Sequence, residues 1–203
     1  LIDQAYEDGV DTVITCDNGI AAAEQISYGN GLGMTFVVTD HHDVPFVEKD
    51  GVRTEQIPEA AAVINPKQED CAYPFKNICG AVVVYKFIEL LYDAFGIGRR
   101  EAQEFLEIAA MATVCDVMIL QDENRILVKE GLRRMNETKI RGMRALIDAN
   151  HLEDKKITAY HLGFILGPCI NASGRLKTAK KALDLLLCTE ESACRAMAEE
   201  LLE

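Results

Sequence analysis

The segment Met34-Thr35-Phe36-Val37-Val38-Thr39-Asp40-His41-His42-Asp43 decides the fold of this chain. Its apolar first half has the length and composition of a buried β-strand, and its polar second half follows without a break. In open α/β sheets, ligands bind just beyond the carboxyl ends of the strands. Two of the chain's four histidines stand here beside carboxylates. The segment therefore predicts a site for a divalent cation or a phosphate at one edge of a sheet.

A second strand with the same arrangement precedes this segment. The pattern predicts a strand over residues 10–15 that leads into Asp17, and a helix that connects it to the next strand. Such a β-α-β unit has parallel strands and a right-handed crossover. Because the carboxyl ends of parallel strands share one edge, we expect Asp17 to approach the Asp40-His41-His42 group. Taken alone, Asp17 with the Asn-Gly pair after it also fits a plain turn.

The remaining segments complete an α/β pattern. A loop is predicted over residues 43–59, followed by a third strand over residues 60–64. Helical spacing occurs over residues 1–8, 80–95, 99–113, 124–135, 143–149, 158–166, 179–187 and 191–202. The expected fold is α/β, a parallel doubly wound sheet followed by a mainly helical segment. We expect the α/β core to span residues 1–120 and the helical part of the same catalytic core to span residues 121–203.

Composition and charge limit the kinds of protein that this chain could be. The chain has 203 residues, 49% hydrophobic and 27% charged, which is enough to bury a globular core. No apolar run is long enough to cross a bilayer, so we expect no membrane partner. Seven cysteines without C-x-x-C spacing favour a reduced, cytoplasmic protein over a thiolate zinc site. The net charge of −12 disfavours strong nucleic-acid binding unless bound cations invert the local potential.

A further acidic residue, Asp116, follows the apolar end of the helix predicted over residues 99–113. A carboxylate in such surroundings destabilises a protein unless it is paired. Two interpretations stay open at this point. Asp116 either ligates a metal ion or caps the next helix.

The polar residues at these three element ends suit a metal centre. The candidates are Asp17, Asp40, His41, His42 and Asp116. Oxygen and imidazole ligands without thiolates fit Mn²⁺ or Mg²⁺, and Zn²⁺ or Co²⁺ are also compatible. Two such ions a few ångströms apart activate water and stabilise the leaving oxygen of a phosphoryl centre. Asp17 would bridge the ions, and His42 would contact the phosphate or protonate the leaving group. These ligands are too few for two ions, and because the chain does not begin with Met, we expect the others upstream.

A loop of small residues, predicted over residues 167–176, is a second candidate for phosphate binding. Small residues let backbone N–H groups approach a phosphate, and Arg175 adds a guanidinium. The same composition also fits a plain connection between helices, and this alternative stays open.

The Asp40-His41-His42 triplet resembles the signature of the DHH phosphoesterase superfamily. Residues 14–20 resemble the second motif of that superfamily, residues 38–42 the third and residues 112–116 the fourth. Residues 64–67, 73–76 and 167–175 are similar to stretches of a narrower group within it, the exonucleases specific for single-stranded DNA. The order and separations of these stretches carry the resemblance across nearly the whole chain.

This resemblance implies a Mn²⁺- or Mg²⁺-dependent exonuclease that degrades single-stranded DNA from the 5′ end in recombination and mismatch repair. Single-stranded DNA and other recombination or repair proteins are the partners it implies. The implied metal ligands are Asp17, His41 and Asp116. The implied catalytic residues are His42 and Asp40. The implied nucleic-acid contacts are Asn171, Ser173 and Arg175.

The chain departs from the family pattern in three respects. It contains neither the first motif, an Asp-x-Asp pair, nor the C-terminal substrate-binding and OB-type domains, so we expect an incomplete two-metal site and little activity in isolation. Cys169 stands where an Arg is expected, which would weaken the hold on the DNA backbone. Two alternatives stay open. One is a DHH phosphodiesterase acting on oligonucleotides, cyclic dinucleotides or pyrophosphate, and the other is a non-catalytic scaffold in a replication complex.

Overall fold

The computed structural model describes residues 1–171 and 176–202, which form two compact units. The first unit spans Leu1–Gln103 and the second Glu104–Glu203. A parallel sheet lies in the first unit and the described part of the second is helical, which confirms the predicted α/β class. The functional division that the sequence suggests after residue 120 stays a prediction.

A three-stranded parallel sheet organises the first unit. The elements of this unit are α1 (Ile2–Glu7), β1 (Thr12–Ile14), α2 (Ala23–Gly31), β2 (Thr35–Thr39), β3 (Phe46–Lys49), β4 (Val52–Glu55), β5 (Ala62–Ile64) and α3 (Gly80–Ala94). The strand order is β1-β2-β5, with Val13 beside Phe36 and Val38 beside Val63. Since all three strands run in one direction, their carboxyl ends lie on one edge, as the sequence predicts.

The central strand β2 is buried against helix α2. Phe36 and Val38 are 3% and 0% exposed and pack with Ile26 in one apolar cluster. Gly29 of α2 lies directly on the Phe36 ring, where a Cβ atom would come within 2.4 Å of the ring carbons. The absence of a side chain at Gly29 thus sets the distance between the helix and the strand that carries the polar cluster.

An antiparallel hairpin replaces the loop predicted over residues 43–59. Strands β3 and β4 pair from Phe46 beside Glu55 to Lys49 beside Val52. Asp50 and Gly51 have φ angles of 54° and 76°, the left-handed pair that a two-residue type I′ turn requires. The prediction was wrong because the strands are mostly exposed and show no buried alternation. Asp-Gly between two β-rich stretches was the signal that identifies such a hairpin.

The second unit consists of helices in its described part. A 3₁₀ helix, Glu101–Phe105, spans the boundary between the units. The α-helices are α4 (Leu106–Cys115), α5 (Asp122–Met135), α6 (Arg141–Ala149), α7 (Ala159–His161), α8 (Gly167–Asn171), α9 (Leu176–Leu187) and α10 (Glu191–Glu200). A π-helical turn, Leu162–Leu166, joins α7 to α8. Met143, Leu146 and Leu185 are fully buried at the centre of this unit.

Two expectations about the chain can be compared directly with these helices. The loop predicted over residues 167–176 is wrong in its first half, since Gly167–Asn171 is helical and residues 172–175 lie outside the described part. No helix in the described ranges is both long and apolar enough to cross a membrane. No disulfide joins any of the seven cysteines.

A buried carboxylate, Glu107 of α4, lies in the second unit. It is 7% exposed, and its Oε2 atom has no hydrogen-bond partner among the described residues. Burial raises the pKa of this carboxyl, and the Thr138 hydroxyl with Arg134 and Arg144 offsets only part of that effect. The unfolded chain therefore loses this proton at a lower pH than the folded chain. The folded state becomes less stable as the pH rises from the ordinary carboxyl value through the raised pKa.

The contact between Gly29 and Phe36 can be tested with two alanine variants of helix α2. Gly29→Ala should lower the free energy of unfolding by about 1–3 kcal/mol, because the buried ring must move to admit the methyl group. Gly31→Ala is the matched control, since no atom lies within 4 Å of a Cβ there. That variant should be neutral or gain up to about 1 kcal/mol from helix propensity. Equal stabilities of the two variants in urea denaturation would contradict the packing described.

The burial of Glu107 predicts a pH-dependent gain in stability for Glu107→Gln. Near pH 4 both carboxyl and amide are neutral, so variant and wild type should unfold at similar urea concentrations. At pH 7.5 the variant should be the more stable, because it avoids a buried charge. Glu153→Gln, at an exposed position, should show no such divergence. A Glu107→Gln variant whose relative stability stays constant between the two pH values would argue against the raised pKa.

Candidate metal centre

The polar residues that follow β1 and β2 meet at the carboxyl edge of the sheet. Nε2 of His41 lies 3.0 Å from Oδ1 of Asp17. Asp17, His41 and His42 each present a possible ligand atom, and these atoms lie within 4.8 Å of one another. His41 is 6% exposed, whereas Asp17 and His42 face solvent. The structure therefore brings together three of the predicted site residues on one partly open surface.

A tight turn after β1 holds Asp17 in place. Asp17 has a φ angle of 63°, a left-handed conformation that short polar residues tolerate better than most. Its N–H donates to the Thr39 carbonyl at 3.1 Å, which ties the turn to β2. The Thr15 hydroxyl donates to the Asn18 carbonyl at 2.7 Å. Gly19 has a φ angle of 110°, so the turn needs glycine at that position.

The first residue of helix α3 lies against Asp17. A Cβ atom on Gly80 would be 2.5 Å from Oδ1 and 2.6 Å from Cα of Asp17, so only glycine fits there. The amino-terminal end of a helix favours a nearby negative charge, because its N–H groups and dipole point toward it. This contact places the Asp17 carboxylate at the amino-terminal end of α3.

Asp40 is a buried carboxylate that connects the two loops of the site. It is 1% exposed, and its Oδ2 accepts a hydrogen bond from the Ile20 N–H at 2.9 Å. Its Oδ1 accepts from the N–H groups of His41 and His42 at 2.7 and 3.1 Å. Burial acts to raise the pKa of Asp40, but these hydrogen bonds outweigh it and the pKa lies below its ordinary value. Asp40 therefore remains ionised and holds the backbone on either side of the site.

The same carboxylate also sets the orientation of the His42 ring. Nδ1 of His42 lies 2.7 Å from Oδ1 of Asp40. We assign the Nδ1 proton to this contact, which places the electron pair of the neutral ring on Nε2. The sequence placed Asp40 with the catalytic residues, whereas its contacts are those of a residue that positions His42.

A polar network at the end of β5 also supports this arrangement. The sequence did not indicate its role. Asn65, 1% exposed, donates from Nδ2 to the His42 carbonyl at 2.9 Å and accepts from the Lys67 N–H at 2.8 Å. Nζ of Lys67 lies 2.9 Å from Oδ1 of Asp43. The available signal was the position of Asn65, which follows a third strand at the same edge.

A cavity of about 400 Å³ opens beside the cluster. The residues that line it come from the turn after β1, the start of α2 and the end of β2: Asp17, Asn18, Gly19, Ile20, Ala21, Ala22, Gln25, Asp40 and His42. Helix α2 begins at this cavity, and amino-terminal ends of helices bind anionic groups such as phosphate. The cavity thus joins the candidate metal ligands to a surface that suits an anion.

The donor set fits a hard divalent cation. Adjacent ligands about 2.1 Å from an octahedrally coordinated ion lie about 3.0 Å apart. The 3.0 Å distance between Nε2 of His41 and Oδ1 of Asp17 is compatible with that spacing, and it is also the length of a direct hydrogen bond. Carboxylate and imidazole ligands without thiolates suit Mn²⁺ and Mg²⁺. The described residues of this cluster could therefore hold one such ion and leave positions for further ligands.

The other predicted site residues lie in the second unit. Asp116 is exposed and ends helix α4, while the next helix begins at Asp122 after its N-cap residue Gln121. The interpretation that Asp116 caps the next helix is therefore wrong, and its role as a metal ligand stays a prediction. Asn171 is exposed at the end of α8. Ser173 and Arg175 lie outside the described residues, so their predicted contacts stay predictions.

The chain matches the model of one protein family and is similar to several known proteins. The model of the DHH family, N-terminal domain, matches residues 2–113. Single-stranded-DNA-specific exonuclease RecJ of Salmonella typhimurium is 34% identical over 99% of this chain and 35% of its own length. The crystal structure of Thermus thermophilus RecJ in complex with Mn²⁺ superposes with a TM-score of 0.80 at 29% identity, over 100% of this chain and 29% of that one. The Mg²⁺ complex from the same organism gives 0.64 at 26% identity, over 99% and 32%.

These relatives are much longer than this chain. The sequence spans about a third of the Salmonella relative, since 35% of that protein is covered. The similarity therefore concerns one region of each relative, which contains the sheet and the helices that follow it.

The buried Asp40 carboxylate can be tested with an isosteric amide. Asp40→Asn should lower the free energy of unfolding by about 2–3 kcal/mol, because an amide cannot accept from both sides and a buried N–H is left unsatisfied. Asp43→Asn is the matched control. Its side chain is 92% exposed beside Lys67, so the loss should stay below about 1 kcal/mol. Chemical denaturation that ranks Asp43→Asn as the more damaging change would refute the positioning role of Asp40.

Proposed function

The chain belongs to the DHH family, and on that premise we propose that it is the catalytic core of a Mn²⁺- or Mg²⁺-dependent exonuclease acting on single-stranded DNA. The observation that carries the proposal is the grouping of Asp17, His41 and His42 at the carboxyl edge of the sheet. The similarity to exonucleases specific for single-stranded DNA, one of them crystallised with Mn²⁺, supports the same reaction.

The proposed site divides the work between two sets of residues. Asp17 and His41 hold the metal ion, and Asp116 from the second unit is a further proposed ligand. When bound, the ion supplies a Lewis acid that lowers the pKa of water and offsets phosphate charge. His42, oriented by Asp40, contacts the phosphate or, as the imidazolium protonated on both nitrogens, gives its Nε2 proton to the leaving oxygen.

Binding of the phosphate backbone is the second part of the proposal. The start of α2 at the cavity beside the cluster supports phosphate binding near His42. We propose Asn171, Ser173 and Arg175 as further contacts to DNA phosphates. Cys169, where an Arg was expected, donates from Sγ to the Ile165 carbonyl at 3.1 Å and packs on the second unit's core. This position therefore offers no guanidinium to a phosphate.

The finer features of the activity belong to the same proposal. We infer degradation from the 5′ end, a role in recombination and repair with partner proteins of those processes, and a cytoplasmic location. Retention of Asp17, His41 and His42 in ligating geometry favours an enzyme over a non-catalytic scaffold. Residues 1–120 would form the metal-binding core and residues 121–203 the helical part that meets the DNA.

Metal binding provides the direct test of the site. Titration with Mn²⁺, followed by calorimetry and by the electron paramagnetic resonance signal of the unbound ion, should show affinity at least about tenfold weaker for Asp17→Asn and His41→Gln than for wild type. His151→Gln is the control, because His151 is exposed in the second unit. If both site variants bind Mn²⁺ as wild type does, the assignment of these ligands fails.

The reaction itself is tested with single-stranded oligonucleotides labelled at either end. In the presence of Mn²⁺, wild type should release mononucleotides from the 5′ end at the low rate expected of an incomplete two-metal site, and a chelator should stop the release. His42→Gln should cut the rate by at least about a hundredfold, since it removes the group assigned to proton transfer. Cleavage that persists in the chelator would contradict the metal-dependent mechanism.

A further inference from the structure

We propose that Tyr160 and Phe164 form a stacking platform for the bases of single-stranded DNA, beside a cavity whose lysines bind the adjoining phosphates. The inference rests on the proposed function, because it assumes a single-stranded substrate. It assigns a binding surface in the second unit that is separate from the metal ligands of the first.

Two exposed aromatic rings define the platform. Tyr160 and Phe164 are 63% and 72% exposed, although each carries a large apolar ring. The rings stack on one another with centroids 5.1 Å apart and planes inclined by 30°. His161 adds an edge contact to the Tyr160 ring, with centroids 5.9 Å apart. The outer faces of the pair present flat apolar surface to solvent, which suits a nucleobase.

The helix beneath the rings is firmly held, so the platform has a fixed orientation. Thr158 and His161 form a capping box at the start of α7. Leu162 and Leu166 are fully buried in the core of the second unit. The intervening π-helical turn is a rare element that is often found at functional sites. The buried leucines fix the helix and leave the two rings on its open side.

A cavity with a basic rim adjoins the platform. Its volume is about 570 Å³, and Thr158, two residues before Tyr160, is among the residues that line it. Lys129 and Lys156 also line it, and both are exposed. Glu130 is the one acidic residue among the described residues of the lining, and it is already engaged by Arg133 at 2.7 Å and by Arg134 at 3.1 Å. The two lysines therefore leave a local positive charge at the rim.

Single-stranded nucleic acid is the occupant that fits both features. Its phosphates complement the lysines, and its bases expose the faces that stack on aromatic side chains. A duplex keeps those faces inside its stack, so the platform would favour single strands. The lysines of this surface also supply positive charge in the second unit, where Cys169 stands in place of the expected Arg.

Binding to oligothymidylate in EDTA tests the platform without cleavage. Fluorescence anisotropy should show roughly tenfold weaker affinity for the double variant Tyr160→Leu with Phe164→Leu, because leucine keeps apolar bulk but removes the stacking face. The matched control is Phe95→Leu, at a 74% exposed position in the first unit, which should bind as wild type. Circular dichroism should show equal helix content and melting for all the proteins.

An abasic oligonucleotide of the same length isolates the stacking contribution. Wild type should bind it as weakly as the double leucine variant binds either strand.

Lys129→Gln with Lys156→Gln should instead reduce the slope of log affinity against log salt by roughly 0.7 for each phosphate that the variant no longer neutralises. If the leucine variant binds oligothymidylate as tightly as wild type, or wild type does not distinguish the two oligonucleotides, the platform is refuted.

The test of the stacking platform can be separated from the test of the proposed function. A wild-type protein that binds oligothymidylate through these rings in EDTA but cleaves nothing with Mn²⁺ would support the platform and refute the exonuclease. A protein that cleaves single strands while the leucine variant retains full affinity would refute the platform and leave the exonuclease supported.

Discussion

The candidate site depends on one buried charged side chain, the carboxylate of Asp40. It accepts hydrogen bonds from Ile20 on one loop and from His41 and His42 on the other. A buried charge without such donors would be strongly destabilising, so the donors and the carboxylate require one another. Because these bonds cross between the ends of β1 and β2, they also bring Asp17 next to His41. The Asp of the Asp-His-His triplet thus organises the backbone, and the chemistry that we propose belongs to the two histidines.

Glycines make this arrangement possible at two contacts between elements. Gly80 lets α3 begin against Asp17, and Gly29 lets α2 lie on the Phe36 ring of β2. Both contacts position the sheet edge, and neither is visible as a functional motif. The positions of the proposed metal ligands therefore depend on packing that extends well beyond the residues that would touch an ion.

Much of the first unit could be predicted from the sequence because its signals are local or topological. Strand ends followed by Asp17 and by Asp40 were sufficient, since parallel strands must deliver both to one edge. The hairpin of β3 and β4 was missed because its strands lack a buried face, although Asp50-Gly51 marked the turn. The roles of Asn65 and Gly80 depend on contacts between distant segments, which spacing along the chain does not show. Asp116 lies in the other unit and keeps its role as a prediction.

The net charge of −12 is compatible with a nucleic-acid enzyme when charge is considered locally. Acidic residues at the sheet edge would be offset by divalent ions, and lysines at the proposed platform would meet phosphates. The proposed mechanism requires that Asp17 and His41 hold such an ion beside His42. Crystals grown with Mn²⁺ and measured at the manganese absorption edge test it directly. We expect an anomalous peak about 2.2 Å from both Oδ1 of Asp17 and Nε2 of His41. A fully bound Mn²⁺ elsewhere, with no peak between these atoms, would contradict it.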